Sequence, residues 1–447
     1  MNYEHIKSTV LIVLIGLSIV LTWQLYTFQP EIALLDDTKR YVPSESLNTE
    51  REEKKLKEVI LPEQMIVHFE NKFAMIPKHD KRFQQVYDKL LRSNLDVVNT
   101  LATGPFPKRL EQGGVEIIFP AAIPTDLFFS LFELGEEEMT VPLTELDRLF
   151  LFVDQSEEVY MQILSVEEER VIELSTDLSI TDFTTYVEAI NDFKQVEPIV
   201  ELPPAYSPKL TTSVYVPVEP VKASRLSFQT NSLSIKYYQQ TLFTDPSLVK
   251  YYQQTDGEDS YTDGNRIITL QNNSLFMEYI NPIFIETQER NSKHIILNGY
   301  EFINGHGGWS DDYVLADWRQ TELRDEASFM LHVNGYPVIN FEGQGSMSLD
   351  ISRSGNQIVS YTRPLFELDS TPIDVNERIE LPSGQEVIER LNEQEFFQPE
   401  RLSKVVIGYE MVMRNTSFVT IEPHWFVLYG NRWQKVTFEG GGSNGLE

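Results

Sequence analysis

The chain has 447 residues and a formal net charge of −31, from 37 lysines and arginines against 68 aspartates and glutamates. A protein this acidic is repelled by phosphate backbones, which excludes nucleic-acid binding. It contains no cysteine, so disulfides and thiolate zinc sites are excluded as well. With 41% hydrophobic residues, the sequence can form the cores of two or three domains.

Residues 8–28 form the first predicted element, a membrane-spanning helix. This segment carries no charged residue, and a helix of that length spans about 30 Å, the hydrocarbon thickness of a bilayer. Trp23 and Tyr26 lie near its end, where amphipathic rings suit the headgroup layer. No small-residue cleavage site follows, so we expect an uncleaved anchor rather than a signal peptide.

The charges that flank this segment predict its topology. His5 and Lys7 precede it, whereas Glu31, Asp36 and Asp37 follow it. This weak positive-inside bias favours a cytoplasmic N-terminus. We therefore expect a single-pass protein of the plasma membrane, with residues 1–30 as a short cytoplasmic end plus anchor and the main body outside the cytoplasm.

One face of the predicted anchor could contact another membrane helix. Leu11, Ile15, Ser18, Thr22 and Leu25 recur at helical spacing. Small and hydroxylated residues bring membrane helices together, which favours a transmembrane interaction face. The alternative is that Ser18 and Thr22 are merely tolerated, with their hydroxyls bonded to carbonyls of the preceding turn.

Residues 31–61 predict a stalk, because mixed charges with few apolar residues are typical of a solvated helix or tether. Residues 62–196 then predict an N-terminal α+β domain. Phe83, Val86, Tyr87, Leu90 and Leu91 form an apolar stripe on a helix over residues 80–94 that begins at Asp80. A second helix is expected over 181–193. The predicted strands are residues 65–69, 115–119 (ended by Pro120), 149–153, 159–164 and 171–174.

Six prolines between residues 198 and 220 predict a surface linker into a central α+β domain, residues 197–318. That domain is expected to hold a helix over 246–254 and a hairpin turned at Asn272–Asn273. Residues 266–282 and 346–364 share a strand–turn–strand plan that ends in Tyr-x-x-Pro, a weak internal repeat. The expected fold class is α+β, with mixed or antiparallel sheets and packed helices behind one transmembrane helix.

A C-terminal domain is predicted over residues 319–439, followed by a flexible tail, residues 440–447. Its hairpin turns at Ser354–Gly355, and a helix is expected over 384–395. Strands at 405–409 and 425–429 follow, with a turn at Gly430–Asn431. We interpret this arrangement as a helix followed by an antiparallel meander.

Four motifs resemble known catalytic or metal-binding patterns, but none of them predicts catalysis or a metal site. Ser247 and Lys250 match a Ser-x-x-Lys nucleophile, but no Lys-Thr-Gly partner exists. Residues 441–445 fit Gly-x-Ser-x-Gly at the chain end, without room for the required helix. Residues 256–265 resemble a calcium loop but place Leu270 where the bidentate glutamate belongs. Residues 306–309, with the nearby Asp311, are better interpreted as a glycine-rich loop. We expect no catalytic residue, cofactor or metal ligand.

The chain resembles the YycH family over essentially its whole length. The resemblance rests on motifs in order: residues 4–7, residues 20–23 with Pro30, residues 261–264, and Tyr279 with residues 281–282. Residues 327–438 also look like YycI, through residues 408–409 and 423–425. This resemblance implies a non-enzymatic regulator of the cell-wall sensor kinase WalK (YycG) of Gram-positive bacteria. It also implies that YycI is a partner and that the anchor helices contribute to signalling.

Two other classes of function remain open from the sequence. The first is an extracytoplasmic receptor that binds a wall polymer or a peptide. The second is an unrecognised hydrolase, whose activity would depend on Ser247.

Overall fold

A computed structural model describes residues 7, 11, 13–21, 53–99, 105–108, 111–132, 141–202, 212–253, 258–282, 291–395, 397–415 and 417–438. Residue 11 and residues 13–21 of the predicted anchor are helical and exposed, and the rest of residues 8–28 lies outside the described set. Among the described residues, no helix is both long enough and apolar enough to cross a membrane.

Within the described part of the chain, the first sheet has nine strands, and every neighbouring pair is antiparallel. Their order across the sheet is β3-β7-β6-β5-β4-β1-β2-β8-β9. The strands are β1 (Gln64–Phe69), β2 (Lys72–Met75), β3 (Leu95–Asn99), β4 (Gly114–Pro124), β5 (Glu145–Val153), β6 (Val159–Ser165), β7 (Arg170–Thr176), β8 (Lys194–Leu202) and β9 (Thr212–Pro217). We call this sheet, with its helices, the first lobe (residues 53–217).

The helices of the first lobe follow local sequence signals. They are α1 (Leu56–Val59), α2 (Lys81–Arg92), α3 (Thr125–Phe129) and α4 (Ile180–Glu188), the last continued by a 3-10 turn, Ala189–Asp192. The predicted start of α2 is confirmed, because the Asp80 carboxylate accepts a hydrogen bond from the Arg82 amide at 2.9 Å. Its five-residue apolar stripe is buried, as expected.

The second lobe (residues 218–438) is built on one mixed sheet. Within the described residues this sheet has fifteen strands, and only β17 and β22 pair in parallel. The strands are β10 (Val221–Ser232), β11 (Lys250–Gln253), β12 (Asp259–Thr262), β13 (Ile267–Gln271), β14 (Phe276–Ile280), β15 (Tyr313–Gln320), β16 (Asp325–Val333), β17 (Tyr336–Phe341), β18 (Ser348–Ser354), β19 (Gln357–Pro364), β20 (Phe366–Leu368), β21 (Asp374–Leu381), β22 (Leu402–Asn415), β23 (Phe418–Tyr429) and β24 (Arg432–Lys435).

Three helices accompany this sheet: α5 (Ile235–Leu242), α6 (Ile295–Gly305) and α7 (Gly384–Asn392). Among the described residues, two 3-10 turns, Pro246–Leu248 and Pro399–Arg401, complete the regular elements of this lobe. Ser383 and Glu386 form a reciprocal capping box that starts α7. The hairpins predicted at Asn272–Asn273, Ser354–Gly355 and Gly430–Asn431 are all confirmed, and the α+β class is confirmed with them.

Two predicted elements are wrong. The helix predicted over 246–254 does not form in the described residues 246–253: after one 3-10 turn, β11 pairs with β12, because long-range strand pairing overrides the local Pro-initiated signal. Pro120 does not end its strand either. β4 continues through it, because the register between β4 and β5 shifts between Ile118 and Ile123, and such irregularities accommodate proline.

The proline-rich linker is also corrected. Residues 194–202 and 212–217 are β8 and β9 of the first sheet, and a register shift lies directly beside Pro198. The predicted boundary after residue 196 therefore falls inside β8. The boundary after residue 318 falls inside β15, so the predicted central and C-terminal domains share one sheet.

The described end of the predicted stalk, residues 53–61, packs against both lobes instead of standing in solvent. Lys54 Nζ donates to the Asp311 carbonyl at 2.9 Å, and Tyr300 donates to the Lys54 carbonyl at 2.7 Å. Val59 and Ile60 are fully buried, and Tyr87 of α2 donates to the Ile60 carbonyl at 2.8 Å. The short apolar run at the end of the charged stretch drives this burial.

Candidate functional site

The two lobes meet along a seam between β4 and β9 on one side and β15, β22 and α7 on the other. Trp318 of β15 donates its indole N–H to the Ala122 carbonyl of β4 at 2.6 Å. Lys404 of β22 pairs with Glu63 at 3.2 Å and donates to the Pro120 carbonyl. A single apolar cluster extends through both lobes. The seam is therefore a packed interface within the chain, and its polar bonds are few and specific.

A cavity of about 1020 Å³ lies in this seam. Its volume is at the upper end of the roughly 300–1,000 Å³ that small-molecule sites occupy. Three tryptophans contribute to its walls: Trp318, Trp425 and Trp433. Its charged lining residues are Lys78, Lys194, Arg319, Arg324 and Lys404, with Glu63, Asp317, Glu326 and Asp350. Acidic residues outnumber basic ones 68 to 37 in the whole chain but not around this cavity.

Two of the cavity cations, Lys78 and Lys194, have no ion-pair partner among the described residues. Burial lowers the pKa of Lys78 from 10.5 to about 8; Glu63 opposes this shift and Lys404 adds to it. Burial also lowers the pKa of Lys194. The pKa of His332 falls to about 3, first through burial and then through the charge of Lys78, so its imidazole is neutral at physiological pH. The fold therefore disfavours the charged forms of Lys78 and Lys194 beside the cavity.

A second polar cluster lies inside the first lobe and touches the cavity only through Tyr215. Glu116 accepts hydrogen bonds from Arg148 at 2.6 Å and from Tyr215 at 2.8 Å, and His68 Nε2 lies 3.1 Å away. Burial alone would raise the pKa of Glu116, but Arg148 and His68 lower it to about 2. Arg148 also donates to the Ser213 carbonyl at 3.0 Å. The sheet curls so that β9 returns over β1, β4 and β5, and this cluster holds it there.

The motifs that resemble catalytic or metal-binding patterns have structural roles wherever their residues are among those described. Ser247 donates to the Asp245 carboxylate at 2.6 Å in an exposed turn, and Lys250 begins a strand rather than the helix that a Ser-x-x-Lys site needs. Asp263 accepts from two amides of its own turn. Trp309 donates to Asn304 at 2.6 Å and is buried. No group of three side chains suited to a metal occurs among the described residues, and residues 439–447 lie outside them.

Comparison with known proteins assigns the chain to a family. The family model for the YycH protein N-terminal domain matches residues 4–198, and the model for the C-terminal domain matches residues 211–441. The chain belongs to the YycH family. A YycH-family protein of Bacillus subtilis strain 168, the two-component system WalR/WalK regulatory protein YycH, is 20% identical over 453 residues, which is 98% of this chain and 97% of that relative.

A solved YycH structure has the same fold. The crystal structure of YycH from Bacillus subtilis matches with a TM-score of 0.67 and 16% identity, over 87% of this chain and 98% of that one. Of the residues that carried the YycH resemblance, residues 261–264, 279 and 281–282 lie in the second lobe. Tyr279 pairs with Tyr361 between β14 and β19, and with Asn281 and Pro282 it lines a smaller pocket of about 590 Å³.

The predicted transmembrane face is only partly described. Leu11, Ile15 and Ser18 are helical and exposed, whereas Thr22 and Leu25 lie outside the described residues. The sequence analysis missed the cavity lysines altogether, because Lys78, Lys194 and Lys404 are far apart in the sequence and share no motif. The available signal was indirect: each is a cation beside apolar residues in a strongly acidic chain.

Proposed function

We propose that this protein is a non-enzymatic, membrane-anchored regulator of a WalR/WalK-type two-component system. The observation that carries the proposal is the extent of the family match, since the two models together span both lobes and the predicted anchor. The curated relative, which matches over nearly its whole length, is a regulatory protein of that system. A match of this extent favours transfer of the whole protein's role rather than that of one domain.

The proposed mechanism acts through the membrane helix. Residues 8–28 would span the plasma membrane with the N-terminus in the cytoplasm, and both lobes would lie outside. Ser18 and Thr22 would contact a helix of the sensor kinase or of a YycI-like partner, and the lobes would bias that contact. A coupling of about 1–3 kcal/mol is enough to shift a kinase between states. The YycI-like character of residues 327–438 is part of this proposal.

A crosslinking pull-down from membranes, with the full chain as bait, tests the partners. We expect recovery of the sensor kinase and of a YycI-like protein. Replacing residues 1–30 with an unrelated anchor should abolish both. Recovery that survives the replacement would contradict the helix mechanism and place the contact in the lobes. Recovery of neither partner from the natural chain would contradict the proposal and favour a receptor for a wall polymer or peptide.

A finer test changes only the proposed helix face. The double variant Ser18→Leu with Thr22→Leu should weaken co-purification with the kinase, because larger side chains keep helices from close approach. The matched control, Val13→Leu with Val20→Leu, changes the opposite side of the same helix. Equal co-purification and equal kinase output for the two double variants would contradict the proposed face.

A further inference from the structure

The seam cavity has a positively charged end that the protein itself does not neutralise. Lys78 and Lys194 line the cavity, and their side chains form no hydrogen bond or ion pair with the described residues. Lys78 follows β2, and Lys194 begins β8 opposite Met75, the last residue of β2, so the two cations lie near the same end of neighbouring strands. Lys404 approaches from the second lobe. An isolated charge in a partly desolvated site calls for a counter-charge.

Three of the four acidic residues that line the cavity already have partners, and the fourth, Glu326, is exposed to solvent. Glu63 is paired with Lys404 at 3.2 Å, and Asp317 lies 4.0 Å from Arg319. Asp350 accepts hydrogen bonds from Ser328 and Ser348, and burial raises its pKa. Each of these carboxylates already has its partner. Glu63 acts on Lys78 through its charge but is paired directly with Lys404, so a negatively charged ligand could contact Lys78 and Lys194 without displacing a directly bonded carboxylate.

Apolar and aromatic side chains form much of the remaining cavity wall. Trp318, Trp425 and Trp433 contribute to its walls, together with Met75, Ile76 and Met330. Polarisable methionine and large aromatic faces fit organic groups of varied shape. The volume of about 1020 Å³ is far greater than an inorganic ion would need. The cavity thus matches a molecule with two chemically different ends.

We propose that the seam cavity binds an amphiphilic organic anion, whose carboxylate or phosphate head lies between Lys78 and Lys194 and whose apolar body lies along the tryptophans. Such a ligand contacts both lobes, so its binding favours the arrangement in which the seam is closed around it. The binding claim does not depend on the proposed regulatory function, because it is measured on the protein alone.

The test uses the full chain in nanodiscs of zwitterionic lipid, with sub-micellar decanoate and decyl phosphate as probes. Decyltrimethylammonium serves as the charge-reversed control with the same apolar chain. The readout is tryptophan fluorescence, since three of the five tryptophans line the cavity. We expect a saturable change with one or both anionic probes and none with the cationic one. Tighter binding of decanoate would assign a fatty-acid-like carboxylate, and tighter binding of decyl phosphate a lipid phosphate.

Matched variants localise the binding. Lys78→Met should weaken the affinity about tenfold or more, as expected for loss of a charged hydrogen bond. Lys222→Met removes an exposed lysine of β10 that is not part of the cavity lining, and should leave the affinity unchanged. Lys78→Arg should retain binding, which separates loss of charge from misfolding. Trp433→Phe should reduce the fluorescence change while binding persists.

Three results would overturn the proposal. The first is no saturable change with either anionic probe. The second is equal affinity for the anionic and cationic probes, which would show that only the apolar chain is recognised. The third is an unchanged affinity in Lys78→Met, which would place the binding elsewhere.

Discussion

Two regions of the molecule hold buried charge in opposite ways. Inside the first lobe, the Glu116 carboxylate has three partners, from β1, β5 and β9, and its pKa is lowered. In the seam, Lys78 is charged beside a cavity without a partner among the described residues, and its pKa is also lowered. For an acid, a lowered pKa means that the fold favours the charged form; for a base, it means that the fold disfavours it. Interactions of the charged Glu116 therefore stabilise the fold, whereas the charge of Lys78 destabilises it.

The largest expected effect comes from breaking the closed cluster. Glu116→Gln keeps the shape of the side chain but leaves the largely buried Arg148 guanidinium without its anion. Removing one partner of a buried ion pair costs about 3–5 kcal/mol of unfolding free energy. Denaturant unfolding of the full chain measures this loss. Glu188→Gln on the exposed surface of α4 is the control and should change stability by less than about 0.5 kcal/mol. Equal midpoints for the two variants would show that the cluster contributes nothing.

An intermediate effect is expected where the seam is most tightly packed. A Cβ on Gly384, at the start of α7, would lie 2.2 Å from the Val216 side chain of β9. Gly384→Ala must push the lobes apart locally, and overpacking of this kind costs about 1–3 kcal/mol. A Cβ on Gly305 would have no atom within 4 Å, so Gly305→Ala is the matched control. If Gly384→Ala melts at the same temperature as the control, α7 and β9 can separate slightly at no cost in stability, which would contradict tight packing at this point of the seam.

The smallest expected effect, and the one with opposite sign, comes from the open region. Lys78→Met removes a charge that the fold disfavours, so stability at pH 7 should stay equal or rise slightly. Between about pH 8 and pH 10.5 the unfolded chain holds the Lys78 proton more tightly than the native chain does. The stability of the natural protein should therefore rise with pH across this window, and the rise should be smaller in Lys78→Met. Unfolding curves at several pH values measure the difference. A clear loss of stability in the variant would reveal a structural partner for Lys78.

The sequence predicted what is local. The α2 stripe, its Asp80 cap and three hairpin turns follow from periodicity and turn chemistry, and all are confirmed. The sequence analysis failed where tertiary strand pairing determines the structure. It predicted that Pro120 ends a strand and that Pro198 lies in a linker, yet each proline lies at a register shift inside a strand. The cavity in the seam could not be predicted from the sequence. Lys78 and Lys404 are 326 positions apart, and they line one cavity only because the two sheets pack together.

The way residues 53–61 enter the molecule has a mechanical consequence. Lys54 is held by Asp311 and Tyr300 of the second lobe, whereas Ile60, only six positions later, is held by Tyr87 of the first. A force that reaches residues 53–61 from the N-terminal side would therefore act at the seam between the lobes rather than on the outer surface of either. The same strain that prises the lobes apart would change the volume of the cavity between them. Residues 53–61 thus connect the N-terminal side of the chain to both lobes at once.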